Sequence, residues 1–119
     1  PPTRAVYDDI KAQLGLPFVN TDYRALARWP SSFALLWTDL RDHVQSDPYE
    51  ELVASLHRAF VEASSALPNP AGLTAGALRA AAEKDGSFEE VLAVVRLFQW
   101  LLPGLIANVA FFRAQLEDS

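Results

Sequence analysis

Apolar residues recur at helical spacing from one end of this chain to the other, and alternating strand-like patterns are scarce. Val6, Ile10 and Leu14, for example, stand at i, i+4 and i+8 and therefore share one face of a helix. A chain with such stripes buries them by packing helix against helix. The pattern predicts an all-α fold, a compact bundle of six to seven helices.

Prolines, glycines and capping residues mark where the predicted helices begin and end. Gly15 ends the first helix, and Asn20 or Thr21 caps the second. The predicted helices run over about 3–14, about 21–28, from Pro30, from Asp47 to Leu67, over about 74–84 and from Ser87 onward. Pro103 either kinks the last helix or separates a seventh, over about 104–117.

The length and composition indicate one ordered globular domain, residues 1–119. Apolar residues make up 50% of the chain, and charged residues make up 21%. The net charge is −5 without a basic cluster, which argues against nucleic acid as a partner. The longest apolar run is interrupted by polar residues and a proline, so we expect no membrane span and a cytoplasmic location. The interruptions are Arg96, Gln99, Pro103 and Asn108.

Side chains for metal or covalent chemistry are sparse. The chain has no cysteine, and its two histidines, His43 and His57, lack the spacing of metal ligands. No nucleophilic-serine motif and no phosphate-binding glycine loop occur. The adjacent acidic pairs Asp8-Asp9 and Glu50-Glu51 point about 100° apart on their helices, so solvated faces explain them. The sequence therefore predicts no metal site.

Asp22 is the carboxylate with the most unusual setting, because it follows a tight apolar loop and lies in the first turn of a short helix. As an ordinary first-turn residue it complements the helix dipole, by about 0.3–1 kcal/mol. As a general base it would have to be turned inward and desolvated by Phe18, Tyr23 or Trp29. The residues alone leave both interpretations open.

Asn108 is a polar amide within the apolar stretch 105–112 and needs hydrogen-bond partners if it is buried. It is expected either to join packed helices or to contact a polar ligand. Trp37 and Trp100 lie on apolar stripes, which is typical of core residues.

Several motifs point to one family of proteins. They are Leu14-Gly15-Leu16-Pro17, Asn20-Thr21-Asp22-Tyr23, Ala25-Leu26-Ala27-Arg28-Trp29-Pro30, Ala66-Leu67-Pro68 and Leu97-Phe98-Gln99-Trp100. Together they resemble the second repeat of the group I 2-haloacid dehalogenases, whose two all-α repeats form a pseudo-dimer around the active site. The resemblance implies that this chain is the C-terminal repeat of a longer protein. Its Pro-Pro start and its lack of any methionine agree with that expectation.

The resemblance also implies a reaction, the hydrolytic dehalogenation of 2-haloalkanoic acids. Thr21-Asp22 matches the family's hydroxyl residue and catalytic aspartate. Asp22 would thus activate a water that attacks the halogen-bearing carbon directly, with inversion and without any cofactor. Both enantiomers of the substrate would be accepted.

The expected substrate-binding residues are Phe18, Thr21, Trp100 and Asn108, with Trp100 where the family usually has tyrosine. One repeat supplies one wall of such a pocket, so the resemblance implies a homodimer or pairing with a missing N-terminal repeat. The alternative is a non-catalytic helical interaction or dimerisation domain that shares the fold.

Overall fold

The computed structural model of the protein describes residues 2–117, and within that range the chain is all-α with six helices. The helices are α1 (Pro2–Leu14), α2 (Thr21–Leu26), α3 (Pro30–Arg41), α4 (Asp47–Ser65), α5 (Ala75–Ala82) and α6 (Phe88–Glu117). The predicted fold class is confirmed, and each predicted helix start lies within one residue of the observed one.

Local interactions form the end of α1 and the starts of α5 and α4. Gly15 adopts the left-handed conformation (φ 66°) that ends α1, and Thr74 caps α5 by accepting a hydrogen bond from the Ala77 N–H at 3.1 Å. Asp47 is the first residue of α4. The hydroxyl of Ser46 accepts the Tyr49 N–H at 3.3 Å.

The interpretation of Pro103 as a break before a seventh helix is wrong, because α6 continues through it for 30 residues. A proline lacks the N–H that would bond the carbonyl of Gln99, but the other hydrogen bonds of a long helix suffice to carry it past one such gap. By length and composition α6 could also cross a membrane, and 17% of its most apolar window is buried. The same test is passed by helices that pack against protein.

The described chain divides into two compact units, one formed by residues up to Leu52 and from Ala107 onward, the other by Val53–Ile106. In the first unit, α1 and α2 pack against α3. Its buried apolar side chains come from α1, α2, α3 and α6 and from the connections before α2 and after α3: Ile10, Val19, Tyr23, Phe33, Leu36, Trp37, Leu40, Val44, Ala107 and Phe112.

A polar cluster joins α1 to α3 in the first unit. The Trp37 indole N–H donates to the Asp9 carboxylate at 2.8 Å, and the Arg41 guanidinium donates to the same oxygen at 2.6 Å. The bond from Arg41 holds the pKa of Asp9 below its usual value. Asp9 is therefore a half-buried link between helices rather than the solvated residue that its sequence position predicts.

The second unit has a different character, since most of its large apolar side chains are exposed. Leu101 and Pro103 are its buried residues. The exposed ones lie on α4, α5 and α6 and in the connections between them: Phe60, Val61, Leu67, Leu73, Leu78, Val91, Val94, Val95, Phe98, Trp100, Leu102 and Ile106.

Candidate active site

The loop before α2 directs the chain into a helix start. After the turn at Gly15, the buried side chain of Val19 anchors the loop, while its carbonyl accepts the Arg24 Nε–H at 3.1 Å. Asn20 occupies the N-cap position, and its carbonyl accepts the N–H groups of Tyr23 and Arg24 at 3.1 and 3.3 Å. The loop and the first turn of α2 are thus tied together by backbone and side-chain bonds.

The predicted side-chain cap on α2 is not formed. The side chain of Asn20 makes no capping bond, although its position is the N-cap, and Thr21 is the first helical residue. The Asn20 Oδ1 atom is buried and has no hydrogen-bond partner among the described residues. A six-residue helix without a cap depends on tertiary contacts for its stability.

Asp22 and Tyr23 point in different directions because successive helical positions are about 100° apart. Tyr23 is 1% exposed, whereas Thr21 and Asp22 are exposed. Trp29, one of the residues expected to desolvate Asp22, is itself 61% exposed. In the single chain, therefore, Asp22 lacks the enclosed apolar setting that the general-base interpretation requires.

A buried hydrogen-bonded network lies directly beside Asp22. The Tyr49 hydroxyl donates to Asn108 Oδ1 at 2.7 Å, and the Asn108 amide donates to the Tyr23 hydroxyl at 2.9 Å. Burial raises the pKa of Tyr23 to about 12 and also raises that of Tyr49, so both hydroxyls are protonated at neutral pH. The network joins α2, the first turn of α4 and α6.

Asn108 is 0% exposed, and both its amide oxygen and its amide nitrogen are engaged. These bonds agree with the interpretation of Asn108 as a residue that joins packed helices. A direct contact with substrate stays a prediction. Sequence reasoning singled out Asn108 because it is a polar residue in an apolar run, but it did not identify the two tyrosines that bond it, since those pairings span distant parts of the chain.

Of the predicted site residues, Phe18, Thr21, Asp22 and Asn108 belong to the first unit, and Trp100 belongs to the second. Phe18 is half-buried in the loop before α2. Trp100, expected on the basis of its apolar stripe to be a core residue, is 58% exposed. Its indole stacks on the His57 ring, with 3.8 Å between the ring centroids and 3° between their planes.

The second unit contains an open apolar cavity of about 550 Å³. Residues from one face of α4 and one face of α6 line it: His57, Phe60, Val61, Ser64, Val95, Gln99, Leu102, Pro103 and Ile106. The His57 Nε2 atom is buried without a hydrogen-bond partner in the described chain. Sequence reasoning missed this cavity, although the spacing of its α4 residues at i, i+3, i+4 and i+7 was a usable signal.

Comparison with known proteins gives two similar sequences. An (R)-2-haloacid dehalogenase of Pseudomonas putida is 36% identical over 110 residues, which cover 92% of this chain and 36% of that protein. This identity supports the assignment of the matched segment to the 2-haloacid dehalogenase family. An (R)-2-haloacid dehalogenase of Rhizobium sp. (strain NHG3) is 48% identical over 71 residues, 60% of this chain and 28% of that protein.

The chain spans about a third of the length of these 2-haloacid dehalogenases. The longer match covers 110 of the 119 residues, so it includes Asp22 and Asn108 wherever it begins. No protein-family model matches the chain, and no solved structure matches it. The family resemblance is thus confirmed, while the position of this chain as the second of two repeats stays a prediction.

Proposed function

We propose that this chain forms one wall of an active site that hydrolyses 2-haloalkanoic acids, with Asp22 as the general base. The observation that carries the proposal is the 36% identity to an (R)-2-haloacid dehalogenase over 92% of the chain. That matched stretch contains Thr21-Asp22 and the buried network beside them.

In the proposed reaction, Asp22 accepts a proton from a water while the water oxygen bonds to carbon 2 of the substrate. The bond from carbon 2 to the halogen breaks, and the halide departs with its electron pair. The products are the 2-hydroxy acid of inverted configuration, a halide ion and a proton on the aspartate. Because water is the nucleophile, the chemistry needs a well-placed base but neither an ester intermediate nor a cofactor.

The exposed position of Asp22 supports a site that is completed by a second wall. Hydrolysis at a halogenated carbon needs the base to hold one water while bulk water is excluded, and a carboxylate on an open surface does not provide that. We propose that a second copy of this chain, or a preceding related repeat in a longer protein, covers Asp22. Phe18, Thr21 and Trp100 would then contact the substrate.

The apolar surface of the second unit supports the need for a partner. Val95, Phe98, Trp100, Leu102 and Ile106 are each more than 40% exposed. Several large apolar side chains exposed on one stretch of helix are typical of an interface rather than of a free surface. A partner with a matching apolar face would remove these side chains from water. A cytoplasmic location is proposed separately, from the similarity to the two 2-haloacid dehalogenases.

The experiment is halide release from 2-chloropropionate by the full-length protein, with the (R) and (S) enantiomers assayed separately. Asp22→Asn keeps the size of the side chain but removes the base, so we expect kcat to fall by about 10²–10⁴-fold. Asp8→Asn is the matched control, because Asp8 is an exposed helical carboxylate paired with Lys11. The relatives are named for the (R) enantiomer, so the (S) assay tests whether both are accepted.

A single turnover in ¹⁸O-labelled water tests the nucleophile. Direct attack by water places the label in the hydroxy acid and leaves the protein unlabelled, whereas an ester intermediate on Asp22 would label the carboxylate. If Asp22→Asn releases halide as fast as the wild type, the base assignment fails. If no 2-haloacid is hydrolysed by the assembled full-length protein, the non-catalytic interaction domain becomes the better explanation.

A further inference from the structure

The short helix that carries Asp22 cannot fix its own orientation. α2 has six residues and no side-chain cap, and isolated helices of that length are unstable in water. The direction of the Asp22 carboxylate must therefore depend on contacts between α2 and the rest of the first unit. Arg24 supplies two of them, since its Nε–H bonds Val19 in the adjoining loop and its guanidinium lies over the ring of Tyr7 on α1.

Tyr23 supplies the contact that reaches the distant part of the unit. Its side chain is 1% exposed, and its hydroxyl accepts a hydrogen bond from Asn108 on α6. Asn108 is in turn held by Tyr49 in the first turn of α4. An asparagine suits this place because its amide donates and accepts at the same time, whereas a leucine of similar size would leave both tyrosine hydroxyls without their partner.

We propose that Asn108 is a positioning residue, which acts through Tyr23 to fix the orientation of α2 and thereby the Asp22 carboxylate. This inference rests on the proposed function, in which Asp22 is the base. Tyr23 and Asp22 are consecutive residues in the first turn of α2, so a shift of the helix backbone at Tyr23 also displaces the Asp22 carboxylate. A displacement of about 1 Å can cost about 10²-fold in rate.

This role differs from a substrate contact in the kinetic constant that it changes. A residue that binds the substrate equally in the ground state and transition state raises KM when it is lost. A residue that only orients the base lowers kcat and leaves KM nearly unchanged.

The decisive variant is Tyr23→Phe, which keeps the buried ring and removes only the hydroxyl that Asn108 bonds. We expect kcat for halide release by the full-length protein to fall by about tenfold or more, with KM unchanged. Tyr7→Phe is the matched control. The Tyr7 hydroxyl takes part in no hydrogen bond within the described chain, and its ring contacts with Phe33 and Arg24 survive the change.

Hydrogen exchange gives a readout that does not depend on activity. In Tyr23→Phe the amides of Tyr23–Leu26 should exchange faster than in the wild type, while the amides of α3 stay protected. Asn108→Ala should give the same pattern and the same loss of kcat, and the double variant Tyr23→Phe/Asn108→Ala should lose no more than the worse single variant. Should Asn108→Ala fail to fold, Tyr23→Phe against Tyr7→Phe still decides the question.

The outcomes separate this inference from the proposed function. If Asp22→Asn abolishes halide release but Tyr23→Phe keeps the wild-type kcat, the positioning role is wrong and the base assignment stands. A rise in KM at constant kcat in Asn108→Ala would overturn positioning in favour of a substrate contact. If Asp22→Asn leaves halide release unchanged, the proposed function fails irrespective of what exchange shows for α2.

Discussion

The two compact units of this chain contain similar numbers of apolar residues, but the first unit buries many of its large apolar side chains and the second leaves most of them exposed. In the first unit, α1 and α2 pack against α3, and aromatic side chains such as Phe33 and Trp37 are 1% and 2% exposed. In the second, Phe60, Phe98 and Trp100 are 45%, 41% and 58% exposed. Apolar composition alone therefore does not say which helix has a core beneath it.

The difference has a physical consequence for stability and function. Burial of apolar surface is the main favourable term in folding, and the first unit gains it within the chain. The exposed side chains of the second unit gain it only when another surface covers them. The proposed base and its positioning network lie in the first unit, whereas Trp100, a proposed substrate contact, lies in the second unit, whose large apolar side chains are mostly exposed.

The largest expected effect comes from a matched pair of phenylalanines, one in each unit. Phe33→Ala should lower the free energy of unfolding by about 3–5 kcal/mol, because it leaves a cavity in a packed core. Phe60→Ala should change it by less than about 0.5 kcal/mol in the monomer. Urea unfolding of dilute protein measures both. Equal losses would mean that the second unit has a core of its own in solution.

A second pair tests whether the second unit is an interface. Leu102→Asp places a charge in the apolar cavity and should weaken self-association by about 2 kcal/mol, as for a central interface residue. Leu35→Asp is the control, since Leu35 is a 73% exposed leucine of the first unit. Light scattering over a range of concentrations gives the oligomeric state.

Light scattering can also contradict the proposal that the second unit is an interface. A wild-type protein that is monomeric at all concentrations would exclude a second copy as the partner, and association with vesicles would instead indicate a membrane role for α6. A loss of association in Leu35→Asp but not in Leu102→Asp would place the contact on the first unit.

The smallest effect concerns the polar link inside the first unit. Asp9→Asn should lower the free energy of unfolding at neutral pH by about 1 kcal/mol, because it weakens the bonds from Trp37 and Arg41. The pKa of Asp9 is lowered from 3.8 in the folded protein, so its stabilisation is present above pH 3.8 and is lost as the pH falls through the lower folded value.

Thermal unfolding between pH 2 and pH 7 measures this contribution, and Asp8→Asn is the control because its carboxylate is largely exposed. The stability of Asp9→Asn should fall less between neutral and acid pH than that of the wild type. If the stability of Asp9→Asn depends on acid pH as steeply as that of the wild type, the link to Arg41 contributes nothing to the pH dependence.

Only part of the candidate site could be predicted from the sequence. The Thr21-Asp22 helix start and the unusual polarity of Asn108 are local features, and both are visible in the sequence. The direction of Asp22 and the partners of Asn108 depend on side chains far away in the chain. His57, set aside for its lack of metal-ligand spacing, emerged as the stacking partner of Trp100.

The sequence by itself determined the all-α class and the start of each helix to within one residue, because apolar periodicity and turn residues act over a few residues. It also indicated the resemblance to the 2-haloacid dehalogenases, through motifs around α2 and at 66–68 and 97–100. Only the tertiary structure decided that α6 runs unbroken through Pro103, that Asp9 links α1 to α3, and that Tyr23 rather than Asp22 points inward. Those outcomes depend on which faces of distant helices pack together. Apolar periodicity identifies the apolar face of a helix but does not identify the surface that packs against it.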